Sequence, residues 1–227
     1  MCGIAGFINT SQVGHESICH KMVATLHHRG PDHSDVWISK DNGIALGHAR
    51  LSILDLSTAG HQPMTSSCGR YVMTFNGEIY NHLKLRKEVS LSGYSASWRG
   101  HSDTETLLAA FSVWGIKKTL QECVGMFALA LWDNKEKKLT LTRDRIGEKP
   151  VYYGWQGTSF LFGSELKALK AHPEFQNNIN RDSLCLLLRH NTISSPHSIY
   201  QGVSKLAPGS ILTLNLDNKE IEVETYW

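Results

Sequence analysis

The most reactive grouping in this sequence stands at its start, Met1-Cys2-Gly3. An initiator Met before a residue as small as Cys is a substrate for removal, and its removal would leave Cys2 with a free α-amine beside its own thiol. The pairing has a chemical logic. An α-amine has an ordinary pKa of about 7.7–8.0 and a thiol one of about 8.5. Near neutral pH the amine is therefore partly unprotonated and can accept the thiol proton, directly or through water. That makes Cys2 a candidate nucleophile with a built-in base.

Attack by a thiolate on a carbonyl builds up negative charge on oxygen, so such a site needs hydrogen-bond donors. Phe75-Asn76-Gly77-Glu78 offers two at the end of an expected strand: the Asn76 side-chain amide and the Gly77 N–H. Read locally, Asn-Gly is equally a turn signal. Arg50 follows a second expected strand and precedes Leu51-Ser52-Ile53-Leu54, where its guanidinium could clamp a carboxylate at two points. Glu78 and Asp103 could hold an ammonium group, although Asp103 in the first turn of a helix is also explained by the helix dipole. Together these residues describe a pocket for an α-amino acid with a reactive side-chain carbonyl, a description glutamine fits.

The elements that must position these groups are mostly short strands separated by turns. Gly3–Asn9 reads as a strand. Val36–Ile38 and Ile44–Ala49 flank Asp41-Asn42-Gly43, a strong hairpin signal. Tyr71–Phe75 reads as a strand ending at Asn76-Gly77. Further hairpins are expected for Met126–Asp133 with Lys138–Thr142, for Val151–Trp155 with Ser159–Phe162 around Gln156-Gly157, and for Ile211–Leu216 with Ile221–Tyr226 around Asp217-Asn218. Ile18, Met22 and Leu26 draw one apolar stripe and predict a helix over Glu16–His28. Ser102 with Glu105 reads as a capping box opening a helix to about Trp114. A third helix is expected from Asn180 or Asp182 through Leu188. Consecutive hairpins with a few separated helices predict an α+β protein with antiparallel sheets.

Composition narrows the function classes. The chain has 227 residues, 41% of them apolar, with 23 Lys plus Arg against 21 Asp plus Glu. A net charge of +2 gives no basic excess of the kind that marks nucleic-acid binders, so none is expected as a partner. No apolar run approaches ~18 residues, so no membrane span is expected. The first ten residues lack a basic leader, which predicts a cytoplasmic protein. The five cysteines are odd in number, widely spaced and without a C-x-x-C pair, and the 12 histidines form no H-E-x-x-H, so neither a disulfide framework nor a metal site is expected.

An ordered set of segments along nearly the whole chain resembles the glutaminase domain of class II glutamine amidotransferases, especially that of glutamine-dependent asparagine synthetases. The segments are Met1–Gly6, His28-Arg29-Gly30-Pro31-Asp32, Gly47–Ile53, Phe75–Asn81, Ser102–Glu105, Arg143–Tyr153 and Phe162–Leu169. The resemblance implies an N-terminal-nucleophile hydrolase fold, a four-layer αββα sandwich of two antiparallel sheets, over residues 1–210. Residues 211–227 would be terminal strands and the start of a linker to a synthetase domain. It further implies that Cys2 attacks glutamine and that Asn76 and Gly77 form the oxyanion hole. Arg50, Leu51, Ser52, Ile53, Leu54, Asn76, Gly77, Glu78 and Asp103 would bind the substrate.

No S-G-G-x-D-S loop of such a synthetase domain occurs in the sequence. ATP and Mg are therefore expected only in that other domain, fused C-terminally or supplied in trans, with no cofactor in this chain. A homodimer fits the same expectation. The alternatives are a catalytically silent domain that keeps the fold for interaction or regulation, and an amidotransferase acting on a sugar or another carboxylate.

Overall fold

A computed structural model describes residues 1–11, 13–52, 57–95 and 97–227. The first sheet begins with β1 (Gly3–Ile8), followed by α1 (His15–Ala24), β2 (His33–Ser39) and β3 (Ile44–Arg50). A 3₁₀ turn (Thr58–Gly60) leads to β4 (Met64–Thr65) and β5 (Tyr71–Ile79). Three helices follow: α2 (His82–Leu91), α3 (Asp103–Trp114) and α4 (Ile116–Glu122). After them come β6 (Gly125–Asp133), β7 (Lys138–Arg143), β8 (Tyr152–Gln156), β9 (Ser159–Gly163), α5 (Leu166–Lys170), α6 (Arg181–His190), β10 (Ser204–Lys205), β11 (Ser210–Asn215) and β12 (Ile221–Thr225). None of the described helices is long and apolar enough to cross a membrane.

The strands form two six-stranded antiparallel sheets, ordered β10-β8-β9-β1-β3-β2 and β12-β11-β7-β6-β5-β4. Period-2 alternation sorts their side chains into three apolar layers. Ile4, Ile8, Ile44 and Leu46 of the first sheet meet Val72, Ala128, Ala130 and Trp132 of the second, which makes the core between the sheets. Ala5, Phe7, Ala45 and Leu161 face Ile18, Met22, Val23 of α1 and Leu169 of α5. Met73, Phe75, Leu129 and Leu131 face Leu107, Leu108 and Phe111 of α3. The result is helix, sheet, sheet, helix: the expected α+β sandwich of two antiparallel sheets. The division expected at 210/211 falls inside β11, and both terminal strands belong to the second sheet.

Two differences from the sequence reading concern the site. The helix expected over Glu16–His28 ends at Ala24, and residues 25–29 continue as turns. Gly30 must lie flat on β3, where a Cβ would stand 2.3 Å from the Ala49 carbonyl carbon, so the chain leaves the helix to reach it. The second difference is larger. Asn76-Gly77 is not a turn but mid-strand: β5 runs through to Ile79, pairing Asn76 with Ala128 and Gly77 with Phe127 of β6.

Candidate active site

Cys2 precedes β1, on the side where Gly3 pairs with Ala49 near the end of β3. Its position is fixed from three sides. Arg29 Nε donates to the Cys2 carbonyl at 2.9 Å. Ile4 and Ser164 exchange hydrogen bonds, with the Ser164 Oγ accepting from Ile4 N at 3.0 Å. The thiol lies 3.4 Å from the Leu51 N–H and 3.5 Å from the Leu51 carbonyl. Burial pushes the Cys2 thiol up from its ordinary value, against the lowering pull of the Leu51 hydrogen bond, the chain N-terminus and Arg50. At neutral pH the thiol is therefore protonated and needs a base to become a nucleophile.

A cavity of about 120 Å³ opens beside it, lined by Cys2, Arg50, Leu51, Asn76, Gly77, Glu78 and Asp103 among others. The expected site residues are thus brought together, with three exceptions. Ser52 is not in the wall; its N–H is held by Asp32 Oδ2 at 2.8 Å. Ile53 and Leu54 lie outside the described residues.

The second sheet supplies the donors. Val72 and Thr74 of β5 face the first sheet, so Asn76, two residues on, projects the same way, toward the sheet that carries Cys2. Its side chain is 1% exposed, and its Nδ2 is buried without a hydrogen-bond partner. Such an orphaned amide costs about 1–3 kcal/mol unless something completes it.

The backbone tells the same story. Pairing with β4 stops at Val72 and Met73, which leaves the rest of this edge of β5 open. Phe75 N–H on that edge is taken by Gln62 Oε1 at 2.6 Å, and Ile79 N–H by Asp103 Oδ2 at 3.0 Å. By the two-residue period the Gly77 N–H points to the same edge, between those two, where Gly77 lines the cavity. Only Gly fits there, because a Cβ would lie 2.3 Å from the Met126 carbonyl oxygen.

The Cys2 thiol and the Asn76-Gly77 donors therefore come from different sheets, and two hydrogen bonds tie those sheets together. His48 Nε2 of β3 donates to the Phe75 carbonyl at 3.0 Å, and Thr74 Oγ1 donates to the Gly47 carbonyl at 3.2 Å.

The polar end of the cavity has the charges the sequence suggested. Arg50 is 9% exposed and donates from Nη1 to the Ser57 carbonyl at 3.2 Å. Asp103 is 5% exposed; its carboxylate accepts Thr104 N–H at 2.8 Å as well as Ile79 N–H. No described ion pair involves Asp103. Burial raises its pKa, against the lowering effect of the Ile79 and Thr104 N–H groups and His82, with Glu78 adding to the rise. A buried carboxylate in that state is relieved by an approaching ammonium group. Ser102 caps α3 as expected, its Oγ accepting Glu105 N–H at 3.2 Å, while the Glu105 carboxylate accepts the N–H groups of Arg99 and Gly100.

Sequence reasoning missed Gln62, which links the strand edge to α3 by donating from Nε2 to Thr104 Oγ1 at 3.2 Å. Lys149, part of the Arg143–Tyr153 segment, also lines the cavity. Among the described residues no cluster of three His, Cys, Asp or Glu side chains is placed to hold a metal.

This sandwich, with a thiol and unpaired donors facing one cavity between its sheets, is the architecture of an amidotransferase domain. A family profile described as a glutamine amidotransferase domain matches residues 1–227, and the chain belongs to that family. Asparagine synthetase [glutamine-hydrolyzing] 3 of Bacillus subtilis is 36% identical over 236 residues, covering 100% of this chain and 36% of that protein. A Methanocaldococcus jannaschii protein named for a glutamine-hydrolysing asparagine synthetase is 36% identical over 245 residues, covering 100% of this chain and 46% of its own length. The chain thus spans less than half of either relative. A B. subtilis glutamine phosphoribosylpyrophosphate amidotransferase, solved with ADP and GMP, superposes with a TM-score of 0.72 at 17% identity. That match covers 100% of this chain and 49% of the other, and it shows a shared fold.

Proposed function

We propose that this domain hydrolyses L-glutamine to glutamate and ammonia through a Cys2 thioester. The observation that carries this reading is the buried Asn76 Nδ2 without a protein partner, beside Gly77, whose N–H the strand period aims at the same open edge, both lining the cavity that holds the Cys2 thiol.

In this reading Met1 is excised, and the new α-amine of Cys2 takes the thiol proton. The thiolate attacks the side-chain carboxamide carbon, and the carbonyl electron pair moves onto oxygen. Asn76 and Gly77 stabilise that oxyanion. As the carbonyl re-forms, the C–N bond breaks, and the protonated amine gives its proton to the departing ammonia. Water then attacks the thioester, deprotonated by the same amine, and glutamate leaves as the thiol is restored. Arg50 holds the α-carboxylate of glutamine, and Glu78 with Asp103 its ammonium group.

The relatives extend beyond the matched domain and are named for glutamine-dependent asparagine synthesis. This supports a second domain that receives the ammonia, with ATP and Mg acting there to activate a carboxylate.

The test is glutamate release by the purified protein and by Cys2→Ala. The variant should lose turnover with little loss of stability, because the substitution is small and the site partly open. An electrophilic glutamine analogue, 6-diazo-5-oxo-norleucine, should label Cys2 and spare Cys19, Cys68, Cys123 and Cys185. Retained turnover in Cys2→Ala, or label on another cysteine, would refute the nucleophile.

A further inference from the structure

Lys149 stands out among the residues lining the cavity. It is 6% exposed, no described ion pair involves it, and its Nζ donates to the Met1 Sδ at 3.4 Å, a weak thioether acceptor. A buried ammonium without a counter-ion is costly, and such groups concentrate where their charge has a use.

Its placement is built with care. The buried Asp144 carboxylate accepts the N–H groups of Gly147 at 2.7 Å, Glu148 at 2.9 Å and Lys149 at 2.9 Å, as well as that of Phe127, the residue paired with Gly77. Arg143 closes the same loop by donating to the carbonyls of Gly147 and Lys149. Gly147 makes the turn with a φ of 77°.

The second cation at the chain start is Arg29, whose Nη2 lies 3.9 Å from the Met1 Sδ. Unlike Lys149, it has a carboxylate partner. Arg29 pairs with Glu165 at 2.9 Å, and Glu165 also holds His28 and Lys167. Burial alone would raise the Glu165 pKa, but hydrogen bonds from Arg29, His28 and Lys167 outweigh it and hold it at about 2. Arg50, Glu78 and Asp103 line the same cavity, and Arg50 and Asp103 act on Cys2 with opposite signs, Arg50 lowering and Asp103 raising the thiol pKa. Lys149 is thus the cation on the Met1 side that no described carboxylate neutralises.

We propose that the Lys149 ammonium keeps the α-amine of Cys2 unprotonated near neutral pH, so that the amine serves as the base. The inference rests on the glutaminase reading above. When Met1 is removed, the new amine is the former Met1–Cys2 peptide nitrogen, in the residue next to the Met1 whose Sδ Lys149 Nζ now contacts. A like charge there opposes protonation of the amine and lowers its pKa. Lys149 acts through the amine and is a positioning residue, not one that touches glutamine.

The experiment compares the processed protein with Lys149→Met and Lys149→Arg, after mass spectrometry has shown that Met1 is absent. Two quantities are read: the acid limb of kcat/KM for glutamine against pH, and the α-amine pKa from the pH dependence of the nitrogen chemical shift of the Cys2 α-amine. Lys149→Met should move both upward by about one unit, with about tenfold less activity below the limb, and Lys149→Arg should restore most of it. Loss of activity at all pH values with the amine pKa unmoved, or no rescue by Arg, would overturn the proposal. So would a retained Met1. If the protein hydrolysed no glutamine at all, the amine titration would still report on Lys149, which separates failure of this inference from failure of the glutaminase reading.

Discussion

Asn76→Ala is the perturbation that best separates a catalytic role from a structural one. In the resting site the Asn76 amide is a burden: Nδ2 is buried and has no partner. Removing it breaks no protein hydrogen bond of that nitrogen and forfeits few contacts, because the side chain borders a cavity. The melting temperature should therefore stay level or rise. Turnover should fall steeply. The ground-state carbonyl of glutamine needs only weak polarisation, whereas the tetrahedral intermediate carries a full charge on the same oxygen, so a donor aimed there acts mainly in the transition state. Loss of one such donor costs about 10²–10³-fold in kcat, roughly 3–4 kcal/mol, with KM little changed. The assay is steady-state glutamate release and calorimetry on one preparation. Near-normal kcat in a destabilised protein would refute the reasoning and leave Gly77 as the donor.

The remaining predictions address the other walls of the cavity. Arg50→Lys should raise KM for glutamine much more than it lowers kcat, since an ammonium cannot reproduce a planar two-point clamp; an unchanged KM would assign Arg50 to bracing the Ser57 loop. Gly77→Ala should cost about 1–3 kcal/mol of stability by forcing β5 off β6, and it should lower kcat as well, seen by melting and turnover together; an unperturbed melting temperature would contradict the tight approach to Met126. KM should rise toward acid pH, beginning above the usual Asp value of about 3.9, because glutamine's ammonium favours ionised Asp103 and the free site's raised pKa means protons compete for it. Asp103→Asn should flatten that rise, and a slope that persisted would move the effect to another group.

Much of the site was legible because its chemistry is local. Cys2 behind the initiator Met, Arg50 at a strand end and Asp103 behind the Ser102 cap are all features of short segments. The hairpins were legible for the same reason, each carried by its turn residues. What failed was local reading of residues whose state is set by distant partners. Asn76-Gly77 has turn chemistry, yet pairing with Ala128 and Phe127 holds it in a strand. Helix α2 was invisible because Leu85 and Val89 are its only buried residues, and the side chain of Asn81, at its N-cap, bonds Glu122 and Val124 instead of the helix. Gln62 has no signature at all: its task is to satisfy one N–H of Phe75, which matters only because β4 stops short.

The division of the site between two sheets places an unusual demand on His48. Its ring bridges from β3 to the Phe75 carbonyl, one residue before Asn76, so together with the Thr74 bond to Gly47 it ties the strand of the donors to the sheet that leads from Cys2. That bond requires a proton on Nε2 and leaves Nδ1 bare, without a partner. Burial drives the His48 pKa down to about 3; the Phe75 carbonyl pulls the other way, and repulsion from Arg50, His61 and His33 reinforces the fall. The imidazole therefore stays neutral throughout the range in which an α-amine titrates. The sign of the linkage follows. Neutral His48 favours the folded chain fully above about 6.5, and this contribution is lost as pH falls from there toward about 3. In the proposed mechanism the amine gains and loses its proton in each cycle near neutrality and above, while the His48 bridge to the strand carrying Asn76 does not titrate. A titrating bridge would have coupled the geometry of the site to the same proton that drives its chemistry.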